Sequence, residues 1–539
     1  MEINKKSKVL KVGSYTLATT LMSMTVAPVA QAIQHDAEFY VVQKQHAKEW
    51  KAEDQEIDAK LKALKDKYGK RPNIIHIMWD DTGVGDMGSP LFNKIRGYDT
   101  PNINKMAKEG VTFARMYTEP SSTPTRAAAL TGRLPIRTGM FKVLFPPDDI
   151  GLPGEEVTIA EVLSKSGYKT GFFGKAHQGV IKESYPQNQG FDEALTGLYN
   201  QWGPMMWNAS GEAAGYSIGW EKDSWDKKYA LDEKFRPYDY IMAIDAKKGD
   251  RVIKEWGRPS VKNYFKLENE LVDRSIKFIR QNVKDNKPFY MAYWPNIPGR
   301  PVKQPGEKFT TSTANFWAEA FVDLDKKIGL IRNELISLGI SENTLVILMA
   351  DNGPMEEIAP SGPFSMFRGG KGSVTEGGIR VPAFGWWPGT IKPETVVGDI
   401  VHVSDLYTTF AKIGGGTRYI PTDRVVDGIN QTALLLNGDA HGRRDYNIVY
   451  AGNILGAITK QQFKRHMLSD RPGLVGKSFY NLYWDPREEH LVMAEIIWAW
   501  GNFDMMIQRH QKLMKKYKNT PPRRGKPYEG IVRVEDQKK

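Results

Sequence analysis

Two pairs of oxygen-bearing side chains each follow an apolar run of the sequence. Asp80 and Asp81 end "NIIHIMWDD", and Asp351 and Asn352 end "TLVILMADN". Such runs are typical of buried strands, and open α/β sheets bind ligands at the carboxyl ends of their strands. Three carboxylates and an amide offer only hard oxygen ligands, which favour Ca²⁺, with Mg²⁺ as the alternative, over zinc. The two strand ends predict one shared cation site, although acids in this position also serve as plain turn formers.

A serine stands in front of a short alanine-rich segment, "STPTRAAALTGR". Thr123 as N-cap and Pro124 as first helical residue predict a helix that ends at Gly132. Ser122 would then lie at a helix N-terminus, where backbone N–H groups and the helix dipole favour an anion. Arg126 would reach the same anion or nucleophile from the first turn. The site suits sulfate or phosphate, but this segment alone is also that of an ordinary capped helix.

Two further segments could bring positive charge to such an anion. "GKAHQG" follows a short apolar run and places Lys175 and His177 two residues apart, so that in extended backbone both side chains point the same way. "FRGGKGS" presents Lys371 in a glycine-rich loop that lacks the Walker A spacing. Each segment alone is weak, since a lone Lys-x-His and a glycine-rich surface turn are both common.

The elements that must position these residues follow one pattern. A helix and then a short apolar strand recur four times, as in "VTIAEVLSKSGYKTGFFGK", which predicts an α/β fold with a large, mixed but mostly parallel sheet flanked by helices. A charged helical extension over residues 33–70 precedes this domain, which we place at 71–435 with an aromatic- and glycine-rich insertion at about 200–262. Residues 436–539 predict a smaller C-terminal α+β domain of antiparallel strands and a helix.

The first 32 residues have the form of a secretory leader, with four lysines, a mildly apolar run and "AQA" before the predicted cleavage site. The run is too short and polar for a membrane span, so we expect a periplasmic or secreted protein without one in the mature chain. The chain of 539 residues has no cysteine, which excludes disulfides and cysteine chemistry. Its net charge of +12 suits anionic ligands, but no basic stretch interleaved with aromatics predicts nucleic-acid binding.

Taken together, these motifs resemble the sulfatase family of the alkaline phosphatase superfamily, most closely the arylsulfatases. The resemblance runs from about Asn73 to about Asp485 and includes "WDDTGVGDMG", "TPNINKMAKEGVTF", "GKAHQG", "GFDEALTG", "DNG", "EGGIRVP" and "NLYWDPREEHL". Its signature is Cys or Ser, any residue, Pro, any residue, Arg and an "LTGR" run, which corresponds here to Ser122–Arg133. That signature is highly specific, and the order of the other motifs adds to it.

The resemblance implies a role for each candidate residue. A maturation enzyme would oxidise Ser122 to formylglycine, whose hydrated form attacks sulfur, and Arg126 would stabilise that nucleophile. Lys175 and Lys371 would neutralise sulfate oxygens, while His177 would assist the diol or accept its proton. The implied Ca²⁺ ligands are Asp80, Asp81, Asp351, Asn352 and the modified Ser122. The substrate would be a small sulfate ester or a sulfated glycan.

One position departs from the family pattern. Many members carry a histidine, held to protonate the leaving oxygen, where "MAYWPNIPGRP" has Asn296. Asparagine is no general acid at neutral pH, and its amide would only donate a hydrogen bond. Either the leaving group is good, as in aryl sulfates, or another residue such as Lys303 acts. Trp202 and Trp207 in "YNQWGPMMWN" could line a pocket for an aromatic ring or a sugar, and core packing explains them equally well.

Three hypotheses follow from these residues. The first is an exported, Ca²⁺-dependent, serine-type sulfatase acting on aryl sulfates, or on carbohydrate sulfates as the alternative. The second is a phosphatase, phosphodiesterase or phosphonate monoester hydrolase on the same scaffold, but such enzymes often bind two zinc ions, and the motifs offer only His177 and His76. The third is a non-catalytic protein that binds sulfated polymers, which should have lost the nucleophile or the acids. Neither is lost.

Overall fold

An eleven-stranded mixed sheet forms the centre of the protein. The computed structural model describes residues 32–145, 148–199, 241–258, 261–298, 308–313, 316–355, 364–468, 478–492 and 496–538. Trp202, Trp207, Lys303, nearly all of the predicted leader and most of the predicted insertion lie outside these residues. The described strands are β1 (Asn73–Trp79), β2 (Val111–Tyr117), β3 (Ile150–Gly151), β4 (Lys169–Lys175), β5 (Glu193–Gly197), β6 (Ile244–Lys247), β7 (Ile253–Glu255), β8 (Phe289–Trp294), β9 (Thr344–Ala350), β10 (Ala383–Trp386), β11 (Thr395–His402), β12 (Tyr446–Ala451), β13 (Ile454–Lys460), β14 (Phe463–His466), β15 (Ser478–Asn481), β16 (Arg523–Arg524) and β17 (Ile531–Val532).

Helices cover the sheet and connect its parallel strands. The described α-helices are α1 (Ala37–Tyr68), α2 (Pro90–Ile95), α3 (Pro101–Lys108), α4 (Ser122–Thr131), α5 (Pro135–Thr138), α6 (Ile159–Lys165), α7 (Val261–Lys284), α8 (Phe316–Ser337), α9 (Glu376–Ile379), α10 (Asp405–Ile413), α11 (Thr432–Asn437) and α12 (Ile497–Lys516). All four predicted helix–strand pairs are present. Among the described residues, no helix combines the length and the apolar character needed to cross a bilayer.

The order of strands in the main sheet is β11-β2-β10-β9-β1-β8-β4-β5-β6-β7-β17. Its central strands β9, β1, β8, β4 and β5 run parallel, whereas β10 and β6 run antiparallel to their neighbours. Both β1 and β9 are buried along their whole length, as expected of parallel strands covered on two faces. The predicted mixed, mostly parallel α/β sheet is confirmed.

Aromatic contacts show which helix covers each face of this sheet. On one face Trp294 lies 5.1 Å from Phe172 and 5.5 Å from His76 between ring centroids, and the guanidinium of Arg126 in α4 lies over its ring. On the other face Phe278 of α7 contacts Phe173 and Phe289. Because side chains alternate along a strand, α4 and α7 cover opposite faces of β8 and β4. His76 is therefore a core residue, and burial lowers its pKa to about 3.

The C-terminal part contains the predicted antiparallel strands, ordered β12-β13-β14-β15, and the predicted helix α12. The helix is shorter than the pattern "EEHLVMAEIIWAW" indicated, because it begins at Ile497 and Glu488 lies in a turn that follows β15. The last described strand, β17, pairs in parallel with β7 of the main sheet. From Ile33 onward the described residues group into one compact unit. The division at residue 436 remains a prediction.

Candidate active site

The four predicted metal-ligand side chains meet at the carboxyl edge of the sheet. Trp79 at the end of β1 is paired with Ala350 at the end of β9, so Asp80–Asp81 and Asp351–Asn352 leave adjacent parallel strands side by side. The carboxylates of Asp80, Asp81 and Asp351 offer oxygens that all lie within 4.8 Å of one another. All four side chains are fully buried.

Backbone hydrogen bonds fix the direction of these acids. Asp81 has a φ of +43°, a left-handed conformation that Asp adopts more readily than most residues. Its N–H donates to Asp351 Oδ1 (3.1 Å), and the Asn352 amide donates to Asp81 Oδ1 (2.8 Å). Buried carboxylates that accept from a neighbouring backbone N–H and amide in this way form a pre-organised group of oxygen ligands.

Ser122 lies at the first residue of α4, directly beside the acids. Its Oγ lies 3.3 Å from Asp80 Oδ1 and 3.2 Å from Asn352 Oδ1. The helix begins at Ser122 with Ser121 as N-cap, two residues earlier than the predicted start at Pro124 with Thr123 as N-cap. The Thr123 hydroxyl does not cap the helix but accepts from the Leu144 N–H. Gly132 ends the helix at a φ of +68°, as predicted. Ser122 is thus held at a helix N-terminus against two of the predicted ligands.

Three basic side chains enter the same cluster from three elements. Lys175, at the end of β4, donates to Ser122 Oγ (3.1 Å) and pairs with Asp80. Arg126 donates from Nε and Nη2 to Asp351 Oδ2 (3.0 and 2.9 Å) and from Nη1 to the Lys175 carbonyl (2.7 Å). Lys371 lies 2.6 and 2.8 Å from the two carboxylate oxygens of Asp81. Three cations therefore balance three carboxylates around Ser122.

Burial and these charges set the protonation of the cluster. Burial alone would raise the pKa of Asp80, but Lys175, Lys371 and Arg126 outweigh it and hold that pKa far below its usual range. Burial and the charge of Asp80 raise the pKa of Asp351. Burial lowers the pKa of Lys175, while Asp80 opposes the shift. Crowded carboxylates that raise one another's pKa are the group that a divalent cation stabilises most.

Two backbone hydrogen bonds connect the loop that carries Lys371 to the segments that carry Asn352 and Ser122. The Lys371 N–H donates to the carbonyl of Pro354, just after "DNG", and the Gly372 N–H donates to the carbonyl of Pro120, just before Ser122 (both 2.7 Å). Gly353 packs so closely that a Cβ would lie 1.8 Å from the Gly377 carbonyl oxygen. The "DNG" and "EGG" segments therefore require glycine for backbone contact.

His177 follows β4 but does not continue its extended backbone. Its φ is +52°, so the premise that it projects in parallel with Lys175 is wrong. Its Nε2 lies 2.8 Å from the Leu144 carbonyl and so carries the proton, while the buried Nδ1 has no hydrogen-bond partner among the described residues. Burial and the charge of Lys175 hold its pKa well below 6.5. His177 is a neutral imidazole with a free acceptor nitrogen.

Asn296 lies just past the end of β8, the strand between β1 and β4. Its backbone N–H and its Nδ2 both donate to Glu268 Oε1 of α7 (3.2 and 2.7 Å). Glu268 therefore takes one of the two N–H donors of the Asn296 side chain and turns its Nδ2 toward α7. The expectation that this amide meets the leaving group stays a prediction. Its Oδ1 is buried and has no partner among the described residues.

Sequence reasoning missed a second buried charge cluster behind the Lys371 loop. Lys464 of β14 lies 3.0 Å from both Glu376 and Glu488, and Glu488 also accepts from the Glu376 N–H (2.7 Å). The Tyr117 hydroxyl donates to Glu376 (2.9 Å). Glu488 belongs to "DPREEHL" and Glu376 to "EGGIRVP", but no spacing in the sequence indicated that these two motifs meet.

The donor set fits a hard divalent cation. Asp80, Asp81, Asp351 and Asn352 present only oxygen atoms, and Ser122 Oγ is a further oxygen within hydrogen-bond distance of two of them. Neither of the two histidines of the motifs, His76 and His177, bonds to these acids. An all-oxygen set of this kind fits Ca²⁺ or Mg²⁺.

Comparison with known proteins places this centre in a family. Residues 72–416 match the family model described as Sulfatase. The N-acetylgalactosamine-6-sulfatase of Mus musculus is 31% identical over 407 residues, covering 74% of this chain and 72% of that protein. The arylsulfatase of Hemicentrotus pulcherrimus is 30% identical over 415 residues, covering 74% and 68%. The PsFucS1 sulfatase from Pseudoalteromonas sp. has a similar structure, with a TM-score of 0.77, 30% identity, and coverage of 88% and 96%.

The chain belongs to the sulfatase family, within the alkaline phosphatase superfamily. The predicted family and fold are thereby confirmed. The family supports the hydrolysis of sulfate esters as the reaction class.

Proposed function

We propose that the chain is a serine-type sulfatase that hydrolyses sulfate esters to an alcohol or phenol and inorganic sulfate at Ser122. The observation that carries the proposal is the contact of Ser122 Oγ with Lys175, Asp80 and Asn352 in one buried cluster. A nucleophile, three cations and an oxygen ligand set are what the transfer of an anionic sulfuryl group requires.

We infer that a formylglycine-generating maturation enzyme oxidises Ser122. Formylglycine would supply, when hydrated, a hydroxyl nucleophile for sulfur and a second hydroxyl that lets the sulfated product collapse. Asp80, Asp81, Asp351, Asn352 and residue 122 would hold a divalent cation, Ca²⁺ in the first instance, which polarises oxygen ligands and lowers the pKa of a bound hydroxyl.

The remaining candidate residues would act through their own side chains on the nucleophile, on the metal ligands or on the sulfate group. Lys175 donates to the oxygen at position 122 and would neutralise a sulfate oxygen as charge develops there. Arg126 fixes Asp351 through two hydrogen bonds and holds the Lys175 backbone. Lys371 would bind a second sulfate oxygen from its loop. His177 Nδ1, as a neutral acceptor, can take a proton from a hydroxyl within reach.

Asn296, on the leaving-group side of the proposed site, bears on the choice between two substrate classes. Asn296 supplies no acid, which favours aryl sulfates, since a phenolate with a conjugate-acid pKa near 10 leaves without much protonation. The free Asn296 Oδ1 favours the second class, carbohydrate sulfates, which carry hydroxyl or N–H donors. The relatives named above include both an arylsulfatase and an N-acetylgalactosamine-6-sulfatase. Rates on phenyl sulfates of graded leaving-group acidity test the first class, which requires a steep dependence.

We infer from the leader pattern that the protein is exported to the periplasm or beyond. Cell fractionation, with sequencing of the mature N-terminus, tests this proposal. A start at Ile33 is the expected result.

The decisive experiment is the mass of the peptide spanning Ser122, from protein purified out of its own source and assayed in parallel. Loss of two hydrogens at Ser122, with release of sulfate but little phosphate from matched 4-nitrophenyl esters, supports the proposal. An unmodified serine in active protein that prefers the phosphate ester would instead support the alternative, a phosphatase, phosphodiesterase or phosphonate hydrolase. A matched Ser122→Ala variant should fold and be inactive on both esters.

A further inference from the structure

Asn296 stands level with the catalytic residues of both neighbouring strands. Ile77 is paired with Tyr293 and Gly174 with Trp294 across the parallel strands β1, β8 and β4. Continued past the strand ends, this register places Asn296 beside Asp80 on one side and just beyond Lys175 on the other. Asn296 therefore follows β8 at the carboxyl edge of the sheet, the same edge at which Asp80 follows β1.

Glu268 approaches Asn296 from the opposite face of the sheet from Ser122. It projects from α7, which packs on β4 and β8, whereas Ser122 begins α4 on the face of Trp294. Glu268 is 1% exposed, and a single oxygen, Oε1, accepts both the N–H and the Nδ2 of Asn296. A carboxylate only accepts hydrogen bonds, so it fixes which end of the amide is turned toward α7.

The consequence concerns the other end of the amide. Because Nδ2 is turned toward α7, the carbonyl Oδ1 points away from that helix. Oδ1 is buried and without a partner among the described residues, which is rare for a buried carbonyl oxygen and costs stability unless a ligand or water satisfies it. Oδ1 is therefore a hydrogen-bond acceptor that a ligand can satisfy.

We propose that Glu268 is a positioning residue that orients Asn296 so that its carbonyl accepts a hydrogen bond from a hydroxyl or N–H next to the ester oxygen of the substrate. The proposal rests on the proposed sulfatase function and deepens it. It names sulfate esters of polyhydroxylated or acylamino alcohols, that is, sugar sulfates with a neighbouring donor, as the preferred class.

The surroundings of Glu268 give the orientation a pH dependence. Burial raises the pKa of Glu268 to about 7, and hydrogen bonds from Asn296 and the charge of Lys327 oppose the shift. The other groups that face it are Tyr264 of α7, Tyr293 of β8 and Asp323 of α8. A protonated Glu268 can donate to Oδ1 and release the fixed orientation, so selection for a substrate donor should weaken as the pH falls through about 7.

The experiment compares pairs of sulfate monoesters on the full-length, matured enzyme. The substrates are methyl hexosides sulfated at each position in turn, each paired with the analogue deoxygenated at the neighbouring carbon, with 4-nitrophenyl sulfate as the donor-free reference. Wild-type kcat/KM should favour the hydroxyl-bearing partner by about 10- to 100-fold, because the deoxy analogue leaves a buried acceptor unpaired. Glu268→Gln should reduce that ratio to about threefold or less, because its amide can hold Asn296 either way round.

Controls separate positioning from loss of structure. Asp273→Asn removes a carboxylate from the exposed side of the same helix and should leave the ratio unchanged. Asn296→Leu removes the acceptor itself and should abolish the ratio, while circular dichroism and thermal unfolding report that the variant has folded. In wild type the ratio should fall below pH 7, and in Glu268→Gln it should stay flat.

The outcomes distinguish the two proposals. If no ester releases sulfate, the proposed sulfatase function fails. If 4-nitrophenyl sulfate is hydrolysed but no sugar sulfate is, or if wild type does not distinguish the hydroxyl-bearing ester from its deoxy partner, the function stands and the inference is overturned. A ratio unchanged in Glu268→Gln overturns the positioning role in the same way.

Discussion

The ammonium group of Lys371 lies 2.6 and 2.8 Å from the two carboxylate oxygens of Asp81, at the outer side of the buried charge cluster around Ser122. Lys371 is the partly accessible member of the three cations, with 16% of its side chain exposed, whereas Arg126 and Lys175 are fully buried. A loop lysine that can turn from Asp81 to a substrate oxygen is suited to bind the sulfate group as it arrives.

Replacing Lys371 should separate catalysis from metal binding. We expect Lys371→Met to lower kcat/KM for sulfate esters by about 10²- to 10³-fold, the usual loss when one pre-organised charge is removed. Affinity for Ca²⁺ should not fall, because the variant removes a positive charge beside the carboxylates. Calorimetric titration with Ca²⁺ and a sulfate-release assay test both parts. Lys392→Met, an exposed lysine, is the control, and weaker Ca²⁺ binding in Lys371→Met would contradict the assignment.

Replacing Asp351 and replacing Asp81, two of the proposed metal ligands, should change the stability of the protein by different amounts. Asp351 Oδ2 accepts two hydrogen bonds from the buried Arg126, whose other carboxylate partner, Asp80, is 3.8 Å away. Asp351→Asn therefore removes the nearest counter-charge of a buried guanidinium and should cost about 3–5 kcal/mol. Asp81 pairs with the partly exposed Lys371, so Asp81→Asn should cost much less. Both variants should lose Ca²⁺ affinity. Urea unfolding in a chelating buffer and Ca²⁺ titration make the comparison, and equal losses of stability would contradict it.

The candidate site was largely predictable because its residues come at strand and helix ends that the sequence marks clearly. Asp80 and Asp351 each follow an apolar run, and adjacent parallel strands then bring them together. The proposed role of Glu268 was not predictable. The hydrophobic periodicity of an amphipathic helix does not show which of its acidic residues is buried. The extended backbone assumed for His177 was wrong, because a left-handed conformation carries no sequence signal at a non-glycine residue.

The second buried charge cluster, formed by Lys464, Glu376 and Glu488, was missed for a related reason. Its partners Glu376 and Glu488 are more than a hundred residues apart in the chain and meet only because β14 packs behind the Lys371 loop. Long-range contacts between the C-terminal sheet and the main sheet produce no periodic pattern of apolar residues in the sequence of either segment. A buried lysine in an amphipathic strand looks like any solvent-facing one until the packing is known.

Lys464 should couple the C-terminal sheet to catalysis. Lys464→Met removes the ammonium group that two buried carboxylates share and leaves Glu376 with Arg380 and Glu488 with His466. The loss of this buried counter-charge should cost about 3–5 kcal/mol. Because Glu376 lies five residues after Lys371, we expect kcat/KM to fall together with stability. Thermal unfolding and a sulfate-release assay below the melting range measure the two effects. Lys515→Met on α12, with an exposed side chain, is the control; a destabilised variant with full activity would show that the cluster does not position the loop.

Glu268 should make stability fall as the pH rises. Burial raises its pKa from 4.5 to about 7 in the folded protein, so between these values the folded chain keeps a proton that the unfolded chain has released. The stabilising effect of that proton is fully present below about pH 4.5 and is lost as the pH rises through about 7, at a cost of about 3 kcal/mol. Glu268→Gln does not titrate and should escape this loss. Melting temperatures of wild type and Glu268→Gln, measured from pH 4.5 to 8, should therefore diverge in favour of the variant as the pH rises, and parallel curves would show that Glu268 is ionised throughout.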